Sequence, residues 1–188
     1  MRGETSGVVA VRGVVVATGA RIDFDDFYRA ELPRLVALAR ALCGPAVADD
    51  VAQEALLAAY RRWRDVGYLE HPEAWVRRTC SNLAVSQYRR KVTELRALTR
   101  LANRPQPRAL EPADEVFWAA VRGLPRRQAQ AAALRYLYDL DVADIARTLE
   151  ITEGSVKQHL SRARTRLVRQ LDLTDQPEKT RPSGEVQP

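Results

Sequence analysis

Apolar residues recur at helical spacing in the first half of this chain. Residues 23–43 place Phe and Leu side chains on one side, with Asp23 available as an N-cap and Gly44-Pro45 as a stop. Pro33 lies inside this pattern and predicts a kink or a restart. Further helices are predicted over residues 46–64 and 72–90. No segment alternates polar and apolar residues as a strand does, so we predict an all-α fold.

The pattern fades after residue 91 and then returns. Three prolines interrupt residues 92–113, where apolar periodicity is weak, and this composition is typical of a flexible linker. Helical spacing resumes beyond it, with a break at Gly123-Leu124-Pro125. The predicted later helices are 114–122, 126–138, 141–149 and 152–171. The predicted organisation is two small helical domains: a disordered N-terminal extension 1–22, a first domain 23–91, the linker 92–113, a second domain 114–172 and a disordered tail 173–188.

The second domain ends in a layout typical of a helix-turn-helix. Ile145 and Leu149 give a short first helix its apolar side, and Val156 anchors the second helix upon it. Thr152 is a suitable N-cap for the second helix. Such turns often place Gly where the backbone is left-handed. Here that position is Glu150, which would cost about 1 kcal/mol if its φ is positive.

Charge is unevenly distributed along the chain. The net charge is +6, but residues 73–91 and 153–171 each hold five Lys or Arg against a single Glu. Two separated basic segments predict two contact zones on a polyanion, although charge alone fits solvated helix faces equally well.

The second helix of the helix-turn-helix therefore has an apolar stripe and a cationic outer face. In such motifs the outer face enters a DNA major groove, where Lys and Arg can donate to guanine and Gln can pair with adenine. Arg164 and Arg166 flank this face and are predicted to meet phosphates. The predicted duplex-contacting residues are Ser155, Lys157, Gln158, Ser161, Arg162, Arg164 and Arg166.

Two faces of the first domain also depart from a simple solvated surface. Asp50, Gln53 and Leu57 align on one predicted helix with Glu54 beside them, a mixed stripe that suits a protein interface. On the next helix an aromatic, an amide and arginines share one side, a combination that suits unpaired bases. These residues are Trp75, Arg78, Asn82 and Arg89, with Ser86 among them. A plain solvated face and a Trp half-buried at the domain edge are the alternatives.

Three segments together resemble one protein family. "DDVAQEALLAAYRRW", "HPEAWVRRTCSNLAVSQYRRK" and "LPRRQAQAAALRYLYDLDVADIARTLEITEGSVKQHLSRARTRL" occur in the order found in sigma factors of bacterial RNA polymerase, of the compact extracytoplasmic-function (ECF) type. The resemblance covers residues 23–171. It implies a region 2 helical bundle and a region 4 helix-turn-helix. Gln158, His159 and Ser155 differ from the family's commonest residues, which implies that a different −35 sequence is read.

The resemblance also implies roles for these residues. Asp50, Gln53, Glu54 and Leu57 would bind core polymerase. Asn82, with the loop 66–71, would capture a −10 base on the face of Trp75, Arg78 and Arg89, and the duplex-contacting helix would read the −35 element of promoter DNA. An anti-sigma factor is a further candidate partner. No cofactor, no metal and no enzymatic activity are expected.

Other classes remain to be compared. "SVKQHLSRARTRL" also resembles the output helix of response regulators, whose βα receiver domain would require strands in residues 23–91. Asp49, Asp50 and Glu54 are the best candidate ligands for a metal-dependent nuclease, but His71 and His159 are far apart in sequence and no Gly-rich phosphate loop is present. An adaptor that binds polymerase without DNA would leave both basic helices unexplained.

Compartment and membrane insertion follow from simpler features. Cys43 and Cys80 have no metal-binding spacing and are expected to be core thiols in the cytoplasm. Arg12 interrupts the apolar N-terminal run, which argues against a signal peptide, and no apolar run is long enough to span a membrane.

Overall fold

The computed structural model describes residues 23–101 and 113–171, with side chains assigned for 23–95 and 114–171. The elements within these ranges are helices, and no strand occurs among them. In chain order they are α1 Phe24–Cys43, a 3-10 turn Pro45–Val47, α2 Ala48–Arg61, α3 Trp63–Val66, α4 Pro72–Leu101, α5 Ala113–Arg122, α6 Arg126–Tyr138, α7 Val142–Leu149 and α8 Glu153–Gln170. The all-α prediction is therefore confirmed.

Helix α1 begins where the sequence predicts, because the side chain of Asp23 accepts a hydrogen bond from the backbone nitrogen of Asp25 at 3.2 Å. The helix does not restart at Pro33. Pro33 lies on the exposed side, where water can satisfy the carbonyl that lost its partner, while Leu35 and Leu38 hold the helix to the core. The helix therefore continues through Pro33 with its opposite face held in the core.

Two predicted boundaries in the first domain need correction. The predicted helix 46–64 is divided: its first residues form the 3-10 turn, and Arg62 interrupts the helix between α2 and α3. The predicted helix 72–90 continues to Leu101, so its last turns occupy sequence that was expected to be linker. The predicted disordered ends and the remainder of the linker lie outside the described residues.

The helix-turn-helix matches its prediction closely. The Thr152 side chain accepts from the backbone nitrogen of Ser155 at 3.2 Å and so caps α8. Glu150 ends α7 in the left-handed region with φ of 50°. Val156 is fully buried with Ile145 and Leu149 in a small apolar cluster that joins α7, α8 and α6.

The larger apolar cluster joins the two halves of the chain. Buried residues of α1, α2 and α4 pack in one cluster with Val121 of α5, Leu124 and three alanines of α6. Small side chains on α6 let its backbone approach α1 and α4 closely. The two segments expected to be separate helical units thus lie against one another. None of the helices in the described part is long and apolar enough to cross a membrane.

Candidate nucleic-acid and protein interfaces

The outer face of α8 is cationic and open to solvent. Lys157, Gln158, Ser161 and Arg162 are exposed, whereas Val156, Ala163 and Leu167 on the opposite side are buried. Ser155 is only half-exposed, because its hydroxyl lies 2.9 Å from that of the capping Thr152. The structure therefore brings the predicted groove-facing side chains together on one surface.

Arg164 and Arg166 are both exposed, and helical geometry places them on opposite flanks of the same face. Arg164 also lines an open groove of about 430 Å³ between α5, α6 and α8. Aromatic side chains form much of the groove wall. The rings of Phe117 and Tyr136 pack edge to face, with their centres 5.8 Å apart. Arg164 therefore lies beside apolar and aromatic side chains.

His159 lies on the flank of α8 and adds no charge near neutral pH. Burial lowers the pKa of its imidazole below the usual 6.5, and the nearby guanidinium groups of Arg127 and Arg162 lower it further. Its Nδ1 is buried without a hydrogen-bond partner. The cationic character of this helix thus comes from its Lys and Arg side chains.

The predicted base-binding face of α4 is partly covered by the second half of the chain. Asn82 Oδ1 accepts hydrogen bonds from Arg126 Nη2 at 2.6 Å and from Gln130 Nε2 at 2.8 Å. Arg78 forms an ion pair with Glu150 at the end of α7. Farther along α4, Arg89 is exposed. The face therefore exists in the helical register expected, but its centre is engaged by α6 and α7.

Trp75 on this face is half-buried, as the alternative of a Trp at the domain edge predicted. It lines an open pocket of about 350 Å³ together with Arg61 and Arg62 of the α2 end and Thr79. These arginines place positive charge beside the indole ring, a combination that suits a nucleotide. The sequence places Arg61 and Arg62 at the end of a predicted helix, but their proximity to Trp75 depends on how α2 packs on α4.

The predicted protein-binding face of α2 is open. Asp50, Gln53 and Glu54 are exposed, and Leu57 retains 46% of its surface. Tyr60 is 59% exposed and extends this surface by one turn. An exposed Leu and Tyr next to carboxylates fit a mixed protein interface.

Three residues of α6 were not singled out by the sequence: Arg126, Gln130 and Tyr138. Gln130 is fully buried, and its Nε2 also donates to Ser81 Oγ at 3.1 Å. The Tyr138 hydroxyl donates to the carbonyl of Arg34 at 2.7 Å, and burial raises the pKa of this phenol. The available signal was a Gln within the alanine-rich apolar side of α6, because a buried amide requires a partner.

The described residues form neither a metal-binding site nor a reactive thiol site. Within residues 23–95 and 114–171, no group of His, Cys, Asp and Glu side chains is arranged to hold a metal ion. Burial raises the pKa of the Cys43 thiol to about 11 and that of Cys80 to about 12. Both cysteines are free and buried, as expected for core thiols. Residues 23–91 also lack the strands of a receiver domain.

Comparisons with known proteins agree with this arrangement. The family model of sigma-70 region 2 matches residues 27–94, and that of sigma-70 region 4 matches residues 114–167. The ECF RNA polymerase sigma factor SigM of Mycobacterium tuberculosis is 32% identical over 158 residues, covering 81% of this chain and 79% of SigM. The RNA polymerase sigma-E factor of Streptomyces coelicolor is 28% identical over 160 residues, covering 84% of this chain and 90% of that protein.

Solved structures give the same result. The sigma factor RpoE of Bartonella quintana, in complex with the anti-sigma factor NepR, has a TM-score of 0.62 and 25% identity, covering 81% of this chain and 99% of its own. CnrH in complex with the cytosolic domain of CnrY shares the fold, with a TM-score of 0.58 and 19% identity over 84% of this chain and 93% of that chain. Region models in the expected order, a helix-turn-helix with a cationic outer face and the similarity to SigM show that this chain belongs to the ECF sigma factors of bacterial RNA polymerase, DNA-binding proteins that direct transcription initiation at promoters.

Proposed function

We propose that this protein binds core RNA polymerase through α2 and directs it to promoters by reading a −10 element with α4 and a −35 element with α8. The observation that carries the proposal is the placement of α8. Its buried stripe fixes it on α7, and its exposed side presents Lys157, Gln158 and Arg162 together. A helix held in this way can enter a major groove without rearranging its own domain.

The −35 contacts divide by position on α8. Gln158, Ser161 and Arg162 lie nearest the middle of the exposed face and are proposed to reach base edges, with Ser155 and Lys157 beside them. Arg164 and Arg166 lie on the two flanks, where the phosphate backbones rise on either side of a groove, and are proposed as phosphate contacts.

The −10 contacts are proposed for α4. Trp75 offers a ring for stacking beside Arg61 and Arg62, and Asn82 offers an amide for one base edge. Arg78 and Arg89 lie on the same side of the helix, where they can neutralise the phosphates of the strand. Single-stranded rather than duplex DNA is the proposed ligand, because stacking on an indole requires an unpaired base.

The polymerase contacts are proposed for the exposed face of α2, formed by Asp50, Gln53, Glu54 and Leu57. Because promoter recognition requires core polymerase and chromosomal DNA, we propose a cytoplasmic location. We also propose that the chain itself has no enzymatic activity. An anti-sigma factor is a proposed regulator, since the similar RpoE of Bartonella quintana was solved with one.

Run-off transcription tests the proposed function. Purified core polymerase would be supplied with genomic fragments from the source bacterium, with and without the full-length protein. We expect discrete transcripts that depend on the protein and begin downstream of a shared pair of sequence elements. Identical transcript patterns in both reactions would contradict promoter direction. A response regulator would act only with a polymerase that already holds another sigma factor.

A further inference from the structure

One titratable side chain of α8 is not used by the contacts proposed above. His159 follows Gln158 of the groove-facing set and lies half-buried at the edge of the exposed face. Its Nδ1 is buried without a hydrogen-bond partner, so Nε2 is the ring nitrogen that a ligand can reach. Any group that DNA brings to this edge of α8 therefore meets Nε2.

His159 shares its flank of α8 with a proposed phosphate contact. Residues three and seven positions apart lie on one side of a helix, which aligns His159 with Arg162 and Arg166. Arg162 lies toward the middle of the exposed face, and Arg166 lies on the same flank as His159, two turns farther along. A duplex that seats α8 in its major groove places the phosphates of one strand along this flank, next to both His159 and Arg166.

The imidazole lies beside two cations in the free protein. Burial lowers its pKa, and the guanidinium groups of Arg127 on α6 and Arg162 on α8 lower the pKa further. Arg127 is held in this position because its Nη1 donates to the carbonyl of Leu149 at 3.5 Å. A neutral His159 avoids repulsion from both guanidinium groups, and an anion placed beside the three side chains would remove that repulsion.

Other charged side chains of the helices that pack on α8 are held by partners of their own. They are Arg126 and Arg135 on α6, Asp144 and Arg147 on α7, and Glu150 at the α7 end. Helix α5 packs on the other flank of α8, where Asp114 and Arg164 line the aromatic groove. Arg127 and Arg162 are therefore the charges that act on His159, and both are positive.

We propose that His159 is a proton-linked phosphate contact, neutral in the free protein, that takes up a proton from solvent and donates from Nε2 to a backbone phosphate when α8 enters the −35 groove. The inference rests on the proposed entry of α8 into that groove. The phosphate supplies the negative charge that the cluster of Arg127, His159 and Arg162 lacks, and so favours the protonated ring. Promoter binding then tightens as the pH falls, because the bound form holds more protons than the free form.

The test compares holoenzymes that differ only at position 159. Core polymerase carrying the full-length parent, His159→Gln or His159→Arg would be titrated against a duplex promoter fragment identified by run-off transcription, at fixed salt. Dividing the affinity of the parent by that of His159→Gln at each pH cancels the titration of polymerase and of His71, the other histidine of the chain. We expect this ratio to rise about three- to tenfold between about pH 8 and about pH 6, since a pKa change of about one unit corresponds to a factor of about ten.

Two controls separate proton uptake from the loss of a contact. His159→Arg carries a fixed charge, so its affinity relative to His159→Gln should be independent of pH, and it should exceed the parent near about pH 8 but match it near about pH 6. Arg166→Gln removes a fixed charge from the same flank of α8, so it should bind more weakly than the parent by the same factor at every pH.

Salt dependence shows whether the acceptor is a phosphate. Each phosphate contact on duplex DNA adds about 0.9 to the slope of log affinity against log salt concentration. Between about pH 8 and about pH 6 the parent should therefore gain up to about 0.9 of slope relative to His159→Gln. A rising affinity ratio with an unchanged slope would assign the proton to a base edge and overturn the phosphate contact.

The outcomes distinguish this inference from the proposed function. A ratio of parent to His159→Gln that is the same at every pH would overturn the proton linkage, and the proposed function would stand as long as the parent selects the promoter over a scrambled fragment. If His159→Gln forms no holoenzyme, the ratio of parent to His159→Arg gives the same test, because it should also rise toward about pH 6. If the parent holoenzyme does not distinguish the promoter from the scrambled fragment at any pH, the −35 assignment fails and this inference fails with it.

Discussion

Glu31 Oε1 accepts a hydrogen bond from Arg77 Nη2 at 3.1 Å, and both side chains are almost fully buried between α1 and α4. The Arg77 guanidinium lies 4.8 Å from the centre of the Tyr138 ring, so α6 helps to shield the pair from water. Arg34 approaches the same carboxylate oxygen at 3.9 Å from the exposed side. A buried charge pair of this kind is costly to break, because the remaining partner stays in a poorly solvated position.

Glu31→Gln should therefore lower the free energy of unfolding by about 3 kcal/mol, since Arg77 keeps its charge without a carboxylate. The matched control is Asp26→Asn, which breaks the exposed Arg29–Asp26 pair of nearly equal length, 3.2 Å, and should cost no more than about 0.5 kcal/mol. Urea unfolding followed by circular dichroism measures both. Equal losses for the two variants would show that burial does not govern the Glu31 pair.

Gly67 is required for a steric reason rather than a conformational one. A Cβ atom at this position would lie 2.8 Å from the Trp63 carbonyl oxygen and 3.1 Å from the indole ring. Gly67→Ala should therefore destabilise by about 1–3 kcal/mol. Gly154→Ala is the control, because its nearest neighbour would be Thr152 Oγ1 at 3.9 Å and alanine favours the helix. Thermal melting should shift down for the first variant and stay level or rise for the second.

Local chemistry allowed much of the helix-turn-helix to be predicted. The Thr152 cap, the left-handed Glu150 and the Val156 stripe each depend on residues within one or two turns of each other. The continuation of α1 beyond Pro33 could not be predicted in this way, since it depends on the burial of side chains on the opposite face.

The contact between the two halves of the chain could not be predicted from local sequence patterns, because its residues are far apart in sequence. Asn82 and Arg126 are 44 positions apart and Asn82 and Gln130 are 48 apart, and nothing in the periodicity of either helix specifies their partner. The sequence thus predicted the faces of α2, α4 and α8 as candidate sites. Which of those faces is covered depends on tertiary packing, which only the structure provides.

His159 predicts a pH dependence of stability. Its pKa is lowered in the folded state below 6.5, so the unfolded chain binds the proton more readily. This contribution to stability is complete above the unfolded pKa and is lost as the pH falls through 6.5 toward the folded value. The parent should therefore lose more stability than His159→Gln between about pH 7.5 and about pH 5.5. Urea titrations measure the free energy of unfolding at each pH. Equal losses for the parent and His159→Gln would contradict the desolvation of this imidazole.

The α2 face predicts a change in polymerase binding without a change in fold. Asp50→Ala together with Gln53→Ala should reduce co-purification with core polymerase, while stability changes by no more than about 0.5 kcal/mol because both side chains are exposed. Glu94→Ala removes the same charge from an exposed position on α4, outside the α2 stripe, and should retain binding. If the double variant co-purifies with core polymerase as well as the parent does, this face of α2 is not the polymerase contact.

The last prediction separates sequence reading from phosphate contact on α8. Arg162 lies close to the middle of the exposed face, whereas Arg166 lies on its flank, and both are exposed. Arg162→Ala should weaken the free energy of binding to the −35 element by about 1–3 kcal/mol and relax the sequence preference at one or two of its base pairs. Arg166→Ala should weaken binding to all sequences alike and reduce the salt slope by about one unit. The measurement is transcription by the holoenzyme on a set of −35 variants at several salt concentrations. A uniform loss across the variants for Arg162→Ala would make Arg162 a phosphate contact, and parental activity for both would mean that α8 does not enter the groove.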